Sequence, residues 1–120
     1  MFSYCPGLSV GIVVFCKNEA AIIGTLVDRL LQNIDRNDIF VVDGHSTDGT
    51  TAIVRQKNVQ YLLDNGRGKG SAIRQALGAI KRDVLVFMDS DGSHQPEEIP
   101  LLLKPFSIDD DPGGIPMLTL

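Results

Sequence analysis

Short, unbroken apolar runs alternate along this chain with longer segments whose apolar residues recur every three or four positions. Val10 to Phe15 is continuous and β-branched, the pattern of a strand covered on both faces. The period then lengthens. Ile23, Leu26, Val27, Leu30, Leu31 and Ile34 share one helical face, and Asn18 stands where it can cap that helix. Asp35 to Asp38 breaks the period before a second buried strand, Ile39 to Val42. Ser46 and Thr47 offer caps for a helix running to about Lys57, and Val59 to Leu63 reads as a third strand. After a loop from Asp64 to Gly68, a helix from about Lys69 buries Ile73, Ala76, Leu77 and Ile80. Val84 to Met88 is the fourth strand. Pro96 suits the first turn of a helix carrying Ile99, Leu102 and Leu103, which Pro105 ends.

Strands alternating with helices predict parallel βαβ units in an α/β fold. From Ser107 onward the chain turns acidic and rich in proline and glycine, and its last six residues carry no recognisable pattern. The expected division is therefore an ordered unit over residues 1–106 and an irregular or disordered tail over 107–120.

Composition narrows the function. The 120 residues make at most one small domain, 43% of them hydrophobic, with a formal net charge of −4 and no basic stripe. That excludes nucleic acid as the expected partner. Cys5 and Cys16 have neither zinc spacing nor a disulfide framework, which fits reduced thiols in the cytoplasm. The run from Leu8 to Cys16 is too short to span a bilayer, so any membrane association is expected to be indirect.

The chemistry-bearing residues gather after the strands. Right-handed crossovers point all four strands the same way, and open α/β sheets bind ligands at the carboxyl ends of their strands. Beyond the first strand comes Lys17-Asn18-Glu19, and beyond the second Asp43-Gly44-His45-Ser46-Thr47-Asp48-Gly49-Thr50. The third is followed by Asn65-Gly66-Arg67-Gly68-Lys69-Gly70, and the fourth by Asp89-Ser90-Asp91-Gly92. Two carboxylates one residue apart at a strand end can face a hard divalent cation such as Mg2+ or Mn2+. Asp43 can serve an Asx-turn or accept hydrogen bonds from a base or ribose, whereas Asp48-Gly49-Thr50 reads as a turn and helix start. The glycines at 66, 68 and 70 match neither a phosphate loop nor a dinucleotide fingerprint, and leave a flexible loop in which Arg67 and Lys69 can meet an anion. His45 and His94 read as loop residues.

Four of these segments in order resemble the inverting family-two glycosyltransferases. They are Val13 to Glu19, Val41 to Thr50, Gly68 to Arg74 and Phe87 to His94, and the look is that of dolichyl- or polyprenyl-phosphate mannose and glucose synthases. The resemblance covers about residues 9 to 106. It implies a Rossmann-like GT-A fold: three α/β/α layers on a mostly parallel sheet, truncated after the fourth strand and its helix. It implies a nucleotide-sugar site of Phe15, Lys17, Glu19, Asp43, Lys69, Asp89, Ser90 and Asp91, with Asp43 on the base and Asp89 and Asp91 on Mg2+ or Mn2+. It also implies a UDP- or GDP-sugar donor, a lipid-phosphate or glycan acceptor, and a place at the cytoplasmic face of a membrane. Phe15 stands where the family usually carries proline, and Ser93 where some mannose synthases carry glutamine. The acceptor-activating base belongs to a second half that the resemblance does not cover. Two alternatives stand beside this reading. One is a haloacid-dehalogenase-like phosphatase with Asp89 as nucleophile and Asp91 as acid/base, and the other a non-catalytic nucleotide-binding fragment.

Overall fold

The computed structural model describes residues 7–91, 95–99 and 117–119. Five parallel strands form one sheet in the order β3-β2-β1-β4-β5. They are β1 (Val10–Cys16), β2 (Ile39–Asp43), β3 (Gln60–Leu63), β4 (Val84–Asp89) and β5 (Met117–Thr119). Three helices connect the first four, α1 (Ala20–Leu31), α2 (Thr50–Gln56) and α3 (Lys69–Ala79), and a 3-10 turn spans Pro96–Glu98.

The strand alternation sorts side chains into two cores. Val10, Ile12, Val14 and Cys16 of β1, with Ile39 and Val41 of β2 and Val84, Val86 and Met88 of β4, pack with Ile23, Leu26, Val27, Leu30 and Val54. On the other face Val13, Val42, Leu85 and Phe87 meet Ala72 and Ala76 of α3 and Ile80 just beyond it. β1 lies at the centre, so both of its faces must be apolar. This is the expected three-layer α/β/α arrangement.

Three details differ from the sequence-based expectation. Met117–Thr119 pairs with β4 as a fifth strand, where the pattern had given no element over the last six residues. A three-residue strand is too short to show a period, and its place depends on the edge that β4 offers. Where a helix is expected from Pro96, the structure has a 3-10 turn over Pro96–Glu98, and the expected positions from 100 onward lie outside the described residues. The third difference concerns the helix caps. Glu19, not Asn18, occupies the cap position of α1, and Gly49 with φ +94° that of α2, neither with a side-chain cap of its own. Asn18, Ser46 and Thr47 are spent on one another instead. Asn18 adopts φ +53°, its amide donates to Ser46 Oγ at 2.8 Å, and its Oδ1 accepts from the Thr47 amide at 2.8 Å.

Candidate functional site

β1 and β4 end side by side, with Phe15 in register with Asp89, and the Ser90 amide donates to the Phe15 carbonyl at 3.1 Å. This bond carries the strand geometry past the end of β4. Ser90 turns inward and is 3% exposed, while Asp91 is exposed and the Asp89 side chain keeps 42% of its surface. An alternation inside a strand thus continues one step beyond it and presents both carboxylates at the rim.

They open onto a cleft of about 420 Å³ across the carboxyl edge of the sheet. The end of β1 supplies Phe15, Lys17 and Glu19, β4 supplies Asp89, Ser90 and Asp91, and the start of α3 supplies Gly68 and Lys69. Lys69 makes an ion pair with Asp89 while its ammonium sits 5.6 Å from the centre of the Phe15 ring. Phe15 is itself propped by Phe87, ring centres 5.7 Å apart. Gly68, at φ +94°, turns the chain into α3, so that the positive end of the helix dipole joins Lys69 at the cleft. The loop before it is braced by Asx-turns: Gly66 N donates to Asp64 Oδ1 at 2.8 Å and Arg67 N to Asn65 Oδ1 at 3.1 Å.

Glu19 is held from a neighbouring loop. Its amide donates to Thr50 Oγ1 at 3.0 Å, Thr50 Oγ1 donates to Asp48 Oδ1 at 2.5 Å, and Asp48 Oδ2 accepts from the Ala20 amide at 3.1 Å. Asp48 therefore ties the starts of α1 and α2 together, the turn-shaping role its sequence position implies. Its bond from Thr50, with those from the Ala20 and Thr50 amides, holds its carboxyl below the usual range.

Asp43 stands apart from the other expected site residues. It is 0% exposed and absent from the cleft wall. Its Oδ1 accepts from the Ser46 amide at 3.1 Å and Ser46 Oγ at 2.6 Å, its Oδ2 from Thr51 Oγ1 and Tyr61 OH, each at 2.8 Å. Burial raises its pKa, but the bonds from Ser46, Tyr61 and Thr51 outweigh that and leave it below the ordinary aspartate value. With both oxygens occupied, it serves as a brace between β2, α2 and β3 rather than as the expected contact for a base or ribose.

Gly44 and Asp64 line the cleft, and nothing in the sequence singles them out as ligand contacts. The only signal for Asp64 is its place directly after a strand. Cys16 also lines the cleft, but burial first, and then the charges of Asp43, Glu19 and Asp48, push its thiol up to about 12. His45 lies in its loop with φ +65°, and its Nε2 is 2.8 Å from the Asp64 carbonyl oxygen. His94 is outside the described residues.

The donors among the described residues make a partial metal shell. Among the described residues no group of three or more His, Cys, Asp and Glu could hold an ion. Asp89 and Asp91 fit a hard cation that completes its shell with water and phosphate oxygens, as Mg2+ and Mn2+ do.

A cleft at the carboxyl edge of a parallel α/β sheet, walled by two rim carboxylates and a lysine at a helix start, is the place where the open, doubly wound class of α/β folds binds its ligands. Within that class the chain belongs to glycosyl transferase family 2, whose model matches residues 11–114. It is 37% identical over 97 residues to the undecaprenyl-phosphate mannosyltransferase of Micrococcus luteus, covering 72% of this chain and 40% of that one. It is 32% identical over 102 residues to the β-monoglucosyldiacylglycerol synthase of Synechocystis, covering 76% of this chain and 21% of that one. Among solved structures, the glucosyl-3-phosphoglycerate synthase of Mycobacterium tuberculosis with Mn2+, UDP-glucose and phosphoglyceric acid superposes with a TM-score of 0.76. The identity there is 26%, over 88% of this chain and 41% of that one. The chain thus spans about two-fifths or less of each of these relatives. Membership also sets aside the phosphatase alternative, which needs its Asp-x-Asp on the first strand, whereas Asp89 ends the fourth.

Proposed function

We propose that this chain supplies the donor-binding half of a glycosyltransferase that moves a sugar from a nucleoside diphosphate sugar to a polyprenyl phosphate or another lipid or glycan acceptor. The observation that carries this reading is the gathering of Phe15, Lys17, Glu19, Lys69, Asp89, Ser90 and Asp91 around one cleft, from three separate stretches of sequence. The M. luteus and Synechocystis relatives support a lipid-linked acceptor, and the M. tuberculosis structure a uridine nucleotide with Mn2+. The donor is a UDP- or GDP-sugar.

In this assignment Asp91 and Asp89 hold Mg2+ or Mn2+ against the diphosphate, and Lys69 exchanges its Asp89 partner for a phosphate oxygen. Glu19 and Lys17 line the nucleoside side. When bound, the cation would offset the negative charge that develops on the leaving nucleoside diphosphate. Phe15 covers the carboxylate–lysine pair and keeps water from one side of it. No helix among the described residues is long and apolar enough to cross a membrane. A peripheral position at the cytoplasmic membrane face suits a donor taken from water and an acceptor taken from lipid.

Calorimetric titration of UDP and GDP with and without Mn2+ tests the assignment. Binding of one of them is expected to require the metal, and Asp91→Ala is expected to weaken it about 100-fold, the loss of one charged ligand contact. Equal binding by the variant, or binding indifferent to metal, contradicts it.

A further inference from the structure

We propose that Asp64 is the residue that reads the nucleobase, by accepting a hydrogen bond from a ring N–H of its Watson–Crick edge. The proposal rests on the donor-binding reading and adds a specificity determinant to it. Asp64 lines the same cleft as Asp89 and Asp91. It follows β3, however, and the strand order β3-β2-β1-β4 sets it three strand spacings from the metal-binding end, on the order of 14 Å. A nucleoside diphosphate laid along the sheet edge with its phosphates at Asp91 brings its base to the Asp64 end.

The side chain there is rigid and half committed. Its backbone amide donates to the Asp43 carbonyl at 2.9 Å, and its own carbonyl lies 2.8 Å from His45 Nε2. Oδ1 accepts from Gly66 N at 2.8 Å and lies 3.3 Å from His45 Nε2, leaving the side chain only 14% exposed. Oδ2 makes no hydrogen bond among the described residues and faces Gly44, where a methyl group would stand 3.4 Å from it. Gly44 thus keeps open the approach to a fixed acceptor oxygen. An acceptor-only group selects an N–H. Uracil N3–H and guanine N1–H both supply one, and the arms of the test distinguish them.

The Asp64→Asn variant is the sharp probe, because its Oδ1 keeps the Gly66 bond while an NH2 replaces the acceptor in the cleft. UDP, GDP, N3-methyl-UDP, N1-methyl-GDP and pyrophosphate are titrated, each with Mn2+, into the wild type and the variant. The cognate nucleotide is expected to bind the variant about 10- to 100-fold more weakly, the cost of a lost hydrogen bond to a charged group. Pyrophosphate is expected to bind both proteins alike. The N-methyl form of the cognate nucleotide should lose as much on the wild type and nothing further on the variant. Gly44→Ala, which sets a methyl group in van der Waals contact with Oδ2 across the approach to it, should weaken the cognate nucleotide as well. Equal binding of methylated and unmethylated nucleotide by the wild type overturns the proposal without need of any variant. So does a variant that binds the cognate nucleotide as the wild type does. Failure of the wild type to bind any nucleotide with Mn2+ overturns the donor-binding reading itself, and this inference with it.

Discussion

Asp43 and Asp89 hold equivalent places in the chain, each the last residue of a buried parallel strand at the same edge of the sheet, yet the structure uses them oppositely. Asp43 is sealed, with hydrogen bonds from Ser46, Thr51 and Tyr61 on both oxygens. Asp89 is 42% exposed and, among the described residues, held by one side chain, Lys69, itself 55% exposed. A carboxylate whose acceptor capacity is consumed by the protein stabilises the fold and has nothing left for a ligand. One whose partner is a solvated ammonium can exchange that partner at little cost. Strand-end position therefore nominates candidates, and partner count separates braces from contacts.

The comparison breaks most readily at Asp43. Asp43→Ala is expected to lower unfolding stability by about 3 kcal/mol or more, since it leaves several buried donors without an acceptor. Urea denaturation at pH 7 measures it. The pH dependence has a definite sign. Because the folded-state pKa is depressed, the carboxylate's contribution is fully present above its unfolded value of about 3.9 and disappears as pH falls through the lower folded value. The gap between wild type and variant should therefore close only below about pH 4. A gap that already narrows between pH 7 and pH 5 contradicts the assigned bonds. A middle effect is expected at Thr50, 0% exposed, whose hydroxyl joins the Glu19 amide to Asp48. Thr50→Val should cost about 1–2 kcal/mol in the same assay, with faster hydrogen exchange at the Glu19 amide. Exchange unchanged there would mean that Glu19 is held by something else. Asp89→Ala should be the smallest, within about 0.5 kcal/mol of wild type, as for an exposed pair. A loss as large as that at Asp43 would erase the distinction.

The layers of the fold were legible in the sequence because a strand covered on both faces leaves an unbroken apolar run, as Val10 to Phe15 and Val84 to Met88 do. The helices between them show their buried faces, Ile23, Leu26, Val27 and Leu30 in α1. Most of the cleft was legible too, since the topology carries strand ends to one edge. What stayed hidden depends on partners distant in sequence. Asn18, Ser46 and Thr47 have the composition of caps, but they bond across the gap between the β1 and β2 loops. Asp43 reads as a ligand contact until Tyr61 and Thr51 arrive from β3 and α2 to fill it. Asp64 reads as a turn residue until Gly44 is seen to leave its free oxygen uncovered.

The most direct test is paramagnetic broadening of the amide resonances by Mn2+ in the presence of UDP or GDP. Amides at Phe15, Lys69 and Ser90 should broaden first, while those of Asn37 and Arg82, at the amino ends of the strands, should stay sharp. Sharp cleft resonances beside broadened ones at the opposite edge would mean that the cation and its nucleotide bind elsewhere.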